Sequence, residues 1–292
     1  MNPPILTRRE ALQAAVAAGL AFSPALSALA ADARRPFKIG ACDWSIKQRG
    51  QLKALQLAHE FGLDGVQVSF DQPGSPYDLR LEKNRRLYLQ AAKQYDVEIA
   101  SLAMGVLNHV PYASSPEAEQ WVEQCIETMP KMQQKIVLLA FFGQGDIKDQ
   151  PERIQEVIRR LKKVAPQAER AGVILGLETQ LNADGHLRIL DAVGSPAVQV
   201  YYDVANMQEQ GYDIYQEIRQ LGQKRICQFH FKENNSLLGK GLIDFHRVKD
   251  AVDAIGYRGW LVIESALGKG MSIRDSYVAN QKYLRSIFPT GA

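Results

Sequence analysis

The sequence predicts a single (β/α)8 barrel. Three observations carry that reading: eight short runs rich in β-branched and aromatic residues, stretches of helical period between them, and no glycine-rich fingerprint after the first run. Near-continuous apolar strands, each followed by a helix, argue for a parallel sheet covered on its outer face. Eight such units in roughly 250 residues match a closed barrel better than an open doubly wound sheet. The missing fingerprint also weighs against a dinucleotide fold.

Taken in order, the first strand is FKIGAC (37–42), and QLKALQLAHEFG (51–62) follows it with apolar residues at three- and four-residue steps. GVQVSF (65–70) and VEIASLA (97–103) are the second and third strands, and EAEQWVEQCIETMPKMQ (117–133) is the next clear helical pattern. The fourth strand, IVLLAFF (136–142), leads into ERIQEVIRRLKKVAPQAERAG (152–172), a helix that Pro166 is expected to kink or split. VILGLET (173–179), VQVYYD (198–203), ICQFHFK (226–232) and WLVIES (260–265) complete the eight. No linker or low-complexity segment divides residues 36–288, so 31–292 reads as one domain.

The first thirty residues are a different text. Paired arginines in TRREALQ (7–13), the moderately apolar AAVAAGLAF and the small residues ALA at 28–30 resemble a twin-arginine export signal. The run is short for a membrane span and is broken by Pro24, so the expectation is a periplasmic or otherwise exported protein with no stable membrane insertion. Loss of residues 1–30 would leave 33 basic and 31 acidic residues, a net charge of +2, spread without a dense block. That balance lacks the footprint of a nucleic-acid binder. Cys42, Cys125 and Cys227 are too few and too scattered for a disulfide framework or a CxxC site, and read as buried apolar thiols.

Barrel enzymes place reactive groups at the carboxyl ends of their strands. From the fifth strand onward those positions hold Glu178, Asp203, His230 and Glu264, one βα unit apart each time. Three carboxylates brought together repel and partly protonate, and a divalent cation relieves this. The donor set is hard, mostly oxygen with one nitrogen, which suits Mn²⁺, Mg²⁺ or Co²⁺ and tolerates Zn²⁺. Taken singly each has a plainer use: Asp203 as a helix cap, His230 as a core histidine, Glu264 in an ion pair.

LGLET (175–179), YYDVANM (201–207), FHFKE (229–233), GKGLIDF (239–245) and GYRGWLVIES (256–265) are similar to successive signatures of the sugar phosphate isomerase/epimerase family, the xylose isomerase-like TIM barrels that include ketose epimerases and inosose dehydratases. The resemblance spans essentially the whole mature chain and is strongest after residue 170. It implies that Glu178, Asp203, His230 and Glu264 bind one divalent metal ion and that Glu178 and Glu264 also move protons on substrate carbon. The chain departs from the family pattern at Asn206, where many members have histidine, and at Glu233, where aspartate is common. Asparagine can hydrogen-bond a substrate hydroxyl but carries no proton at neutral pH.

Neighbouring positions extend the candidate site. Lys232 is read as a catalytic group that holds a carbonyl oxygen or acts as an acid, and His109, next to Asn108, as a second. Asn206, Trp44, Gln67 and His186 are candidate substrate contacts; Asp43 and Asp71 flank the first two strands; Phe141 and Phe142 are more at home in the core, and His246 on an outer helix face. The set fits proton abstraction next to a carbonyl in a sugar or polyol, with isomerisation, epimerisation or β-elimination of a keto-glycoside as outcomes. No glycine-rich phosphate cradle stands in the late loops, so a non-phosphorylated substrate is expected. Two other readings compete. A hydrolase of the apurinic-site endonuclease type needs more histidine ligands and a basic face than five histidines and +2 supply. A non-catalytic sugar-binding barrel is the other. Whatever the activity, the expected partner is a small-molecule sugar, and self-association into a homo-oligomer stays open.

Overall fold

The structure, a computed structural model, describes residues 37–288; the export pattern at 1–30 lies outside them. Eight parallel strands close in sequence order: β1 (Phe37–Cys42), β2 (Gly65–Ser69), β3 (Glu98–Met104), β4 (Ile136–Ala140), β5 (Ile174–Glu178), β6 (Val198–Asp203), β7 (Ile226–Lys232) and β8 (Gly259–Glu264). Closure is made by β1 against β8, from Phe37 opposite Gly259 to Ala41 opposite Ile263. The (β/α)8 expectation is met, with strand ends within one or two residues of those read from the sequence.

The outer layer consists of α1 (Lys53–Glu60), α2 (Glu82–Tyr95), α3 (Pro116–Thr128), α4 (Pro151–Ala171), α5 (Ala183–Val193), α6 (Val204–Glu209), α7 (Ile214–Leu221), α8 (Phe245–Ala254) and α9 (Ile273–Ile287). Helix starts are set by side-chain caps: Ser115, Asn182, Asp203, Asp213, Asp244 and Ser272 each accept a backbone N–H from the first turn. The pattern at 117–133 does not make one helix, because Pro130 closes it and opens a 3-10 turn over Pro130–Met132. Pro166, by contrast, does not split α4, which runs unbroken to Ala171. Pro166 lies on the exposed face, where water can satisfy the carbonyl one turn back, while Val157, Leu161, Val164 and Ala168 stay buried on the other face.

The main core lies between sheet and helices, where Ile39, Val68, Leu102, Leu139, Leu175, Val200, Phe229 and Leu261 face outward from the strands. A smaller filling occupies the barrel interior: Cys42, Ala100 and Val262 with Trp44 and Trp260, and Ala103, Leu138, Ala140, Tyr201 and Cys227. Trp260 needs room that two glycines give it. A Cβ at Gly65 would stand 2.7 Å from the Trp260 ring and 2.3 Å from the Glu98 carbonyl oxygen. Above this plug sit Gln67, Ser101, Gln228 and His230, all fully buried. They form a polar layer under the carboxyl-end mouth. No helix among the described residues is long and apolar enough to cross a membrane.

Gly65→Ala should therefore destabilise the barrel by about 1–3 kcal/mol through overpacking, read as a lower urea midpoint at unchanged slope. Gly172→Ala is a poor control, since its φ of 65° imposes strain without any clash; Ala at exposed Ser114 serves better.

Candidate active site

Four strand ends converge at the mouth. His230 Nδ1 lies 3.0 Å from Glu178 Oε1 and 3.9 Å from both Asp203 Oδ2 and Glu264 Oε2. One donor atom from each of the four falls within 4.8 Å of every other. The strand register explains the meeting: Asp203 is level with His230 across β6 and β7, and Lys232 is level with Glu264 across β7 and β8. Alternation along β7 turns His230 and Lys232 to the same side.

Each ligand-type side chain is oriented by a second group. Gln67 donates from Nε2 to Ser101 Oγ (3.0 Å), which turns its carbonyl oxygen to accept from His230 Nε2 at 2.7 Å. That bond fixes the imidazole so that Nδ1 faces the carboxylates as a lone-pair donor when a cation is bound. Trp44 Nε1 donates to Glu264 Oε1 at 2.8 Å, and Lys232 Nζ reaches Glu264 Oε2 at 3.2 Å. Asp203 does two things at once. Its Oδ1 accepts from the backbone N–H groups of Ala205 and Asn206 and starts α6, while its Oδ2 is buried with no hydrogen-bond partner among the described residues.

An orphaned, buried carboxylate oxygen beside two further carboxylates and an imidazole fits a cation site. The charges show the same tension. Burial pushes Asp203 up to about 8 despite Lys232, with Glu264 and Glu178 adding to the rise. Glu264 is lowered: burial works against it, but His230, Lys232 and the Trp44 hydrogen bond outweigh that. His230 is held well above its usual value; burial opposes this, and Cys42, Glu178 and Glu264 prevail. Cys42 could complete another three-donor set with His230 and Glu264. Burial, however, pushes its thiol to about 12, and it approaches the Nε2 edge already given to Gln67. The oxygen-rich set is the one that fits.

The cluster opens into a cavity of about 280 Å³ lined by Trp44, Arg49, Ser69, Gly105, Asn108, His109, Leu138, Ala140, Phe142, Glu178, Asn206, Lys232 and Glu264. Among the described residues, Glu178 makes its hydrogen bonds through Oε1 alone, to His230 and weakly to Asn206. Asn206 accepts from Lys232 Nζ at 3.1 Å, so its amide bridges Lys232 and Glu178. Lys232 is held protonated: burial opposes this, but Glu264 and Asp203 outweigh it. Its ammonium stands on the cavity wall as a cationic donor to Asn206 and Glu264. His109 is exposed at the rim.

Three further sequence expectations need correction. Gln67 does not line the cavity; it lies beneath, orienting His230. His186 does not line it either. It is buried in α5 between Thr179 Oγ1 and the Asn182 carbonyl, each at 3.1 Å, because the Asn182 cap folds the turn inward. Phe142 lines the cavity, whereas Phe141 packs against Tyr112 in the core. Sequence reasoning missed Arg49, Ser69, Gly105, Leu138 and Ala140. Arg49 sits in a turn whose shape comes from Asp43, which accepts from Gly50 N, Ser69 N and Ser69 Oγ. Asp71 then holds the guanidinium. Glu233 lies apart, its carboxylate accepting from Leu242 N and Ile243 N to shape the β7–α8 loop.

The sequence model of the family described as "Xylose isomerase-like TIM barrel" matches residues 55–287. Among curated relatives, the L-ribulose-5-phosphate 3-epimerase UlaE of Escherichia coli is 28% identical over 240 residues, covering 73% of this chain and 81% of the relative. A solved D-psicose 3-epimerase from Clostridium cellulolyticum H10, with D-tagatose, superposes at a TM-score of 0.74 with 17% identity, over 86% of this chain and 99% of that one. The 3-keto-D-glucoside 4-epimerase YcjR of E. coli superposes at 0.69 with 16% identity, over 86% and 99%.

The burial of His186 has a measurable consequence. Desolvation lowers its pKa from 6.5 to about 4. Between those values the unfolded chain binds the proton and the folded chain does not, so stability falls as pH drops below 6.5. The expected loss from this residue between pH 7 and pH 5 is about 2 kcal/mol, seen in urea titrations as a pH slope that His186→Gln reduces.

Proposed function

This chain belongs to the xylose isomerase-like TIM barrel family, and we propose that within it the protein is a divalent-metal-dependent sugar isomerase or epimerase. It works by proton transfer next to a carbonyl, on a non-phosphorylated keto-sugar or polyol. The observation that carries the reading is the buried cluster of Glu178, Asp203, Glu264 and His230, with Asp203 Oδ2 unpartnered, at the floor of a sugar-sized cavity. The epimerase names of the curated relatives support the same reaction class.

A bound divalent ion supplies Lewis acidity, stabilising charge on oxygen as the adjacent carbon loses its proton. Glu178 Oε2, free of hydrogen bonds, is the proton acceptor, and Asn206 holds the other oxygen of that carboxylate at 3.5 Å. Glu264, the second glutamate on the cavity wall, is aligned by Trp44 and Lys232; entering the step in its protonated form, it gives that proton to the opposite face while Glu178 keeps the one it took, and both glutamates exchange with solvent after product leaves. Lys232 and Asn206 donate to substrate oxygens. Trp44 and Phe142 give the sugar ring apolar cover.

The absence of phosphate from the substrate rests on charge. The lining lysine and arginine are both already paired, Arg49 with Asp71 and Lys232 with Glu264, so neither is left over for a phosphate dianion. The residue pattern at 1–30, read as a twin-arginine signal, agrees with a substrate met outside the cytoplasm.

Metal analysis of purified protein incubated with Mn²⁺, Co²⁺ or Mg²⁺ should find about one ion per chain, lost in His230→Ala. Gln67→Leu should weaken binding by about 10–100-fold by releasing the imidazole. Wild-type protein that retains no ion would remove the metal site. In D₂O, metal-loaded protein should exchange the proton next to the carbonyl of free ketoses or a methyl 3-keto-glucoside, followed by NMR. Glu178→Gln should slow this by about 10²–10⁴-fold; a loaded protein that exchanges no proton on any of these sugars is not an isomerase or epimerase.

A further inference from the structure

The catalytic cavity does not end at its rim. A groove of about 1030 Å³ lies beside it, lined by Arg49, Asp71, Gln72, Pro73, Gly74, Ser75, Pro76, Val106, His109, Val110 and Trp121. Arg49 and His109 line both spaces, so the groove adjoins the cavity across these two side chains. The smaller space is below the ~300–1,000 Å³ usual for small-molecule sites and suits one sugar ring. The larger is more than a second ring needs.

The chemistry of the groove differs from that of the cavity. Val106, Val110, Pro73, Pro76 and the half-buried indole of Trp121, on α3, make an apolar wall. Its charged residues are the Arg49–Asp71 pair, the guanidinium donating from Nε to Asp71 Oδ2 at 3.1 Å, and these satisfy one another. Asp43 fixes the turn that carries Arg49 through the Gly50 N–H, and Asp71 holds its guanidinium, so the side chain that borders both spaces is set in place. A free monosaccharide in the cavity would leave the groove unused.

We propose that the groove is a subsite for the apolar or aromatic substituent of a glycoside, so that the substrate is a keto-sugar joined to an aglycone and not a free ketose. This rests on the sugar reading of the cavity given above. The sugar ring lies over the four-residue cluster, and the glycosidic oxygen passes between Arg49 and His109. The aglycone stacks on Trp121 and the adjoining valines, a contact that an aromatic ring makes well and a methyl group cannot.

The test uses the metal-loaded full chain and compares deuterium exchange into methyl and phenyl 3-keto-glucosides and free ketoses. The phenyl compound should have a kcat/KM at least about tenfold above the methyl one, mostly through KM. That ratio should fall toward one in Trp121→Ala and also in Ser75→Trp, which fills the groove by addition and does not depend on tolerating a lost side chain. Equal rates for phenyl and methyl glycosides, or exchange confined to free ketoses, would overturn the subsite while leaving the isomerase reading intact. No exchange with any sugar would overturn both.

Discussion

Three carboxylates largely shielded from water must share one small volume, and the arrangement of the mouth follows from that constraint. Asp203 and Glu178 are almost wholly buried and Glu264 nearly so. Left alone, their mutual repulsion and the cost of desolvation would drive protons onto at least one of them, as the raised Asp203 shows. The protein answers with fixed positive and hydrogen-bonding partners: His230 at the centre, Lys232 on one side, the Trp44 indole on another and the α6 N–H groups beneath Asp203. None of these gives Asp203 Oδ2 a hydrogen bond, although His230 Nδ1 and Lys232 Nζ stand 3.9 and 4.0 Å from it.

A parallel barrel is well suited to holding such a cluster. Its strands end at one level, each ligand is the last or nearly the last residue of its strand, and the backbone there is held by neighbours on both sides. The layer below is polar, with Gln67 and Ser101 passing orientation from β2 and β3 to the imidazole. Further down, Trp260 closes the interior against the glycine surface of β1 and β2. Preorganisation at the top therefore depends on side chains that never touch a ligand.

How much of this could be read in advance depended on which force set each position. The eight strands were legible because burial on both faces leaves an uninterrupted apolar run, and Glu178, Asp203, His230 and Glu264 stood out because four such groups recur at equivalent strand ends one βα unit apart. The mouth loops were less legible. Arg49 owes its place to a turn tied by Asp43, a tertiary contact with no local motif, and His186 is turned into the core within the first turn of its own helix, against the Asn182 carbonyl and Thr179. Gln67 was noticed but misplaced, since a strand-end glutamine looks the same whether it faces substrate or a histidine. Pro166 obeyed solvent exposure more than its local propensity.

The ligand-type residues all come from β5 to β8, whereas most of the remaining wall, Trp44, Arg49, Ser69, Asn108, His109 and Phe142, comes from the loops and ends of β1 to β4. The two halves of the barrel divide the work unevenly, and three residues tie them together: Trp44 aligns Glu264, while Gln67 and Ser101 orient His230. Loops in the first half can be recoloured to admit a different molecule only where they leave those three in place. A chimera of related barrels joined near residue 150 would keep its engine only if the incoming half brought the same three mounts.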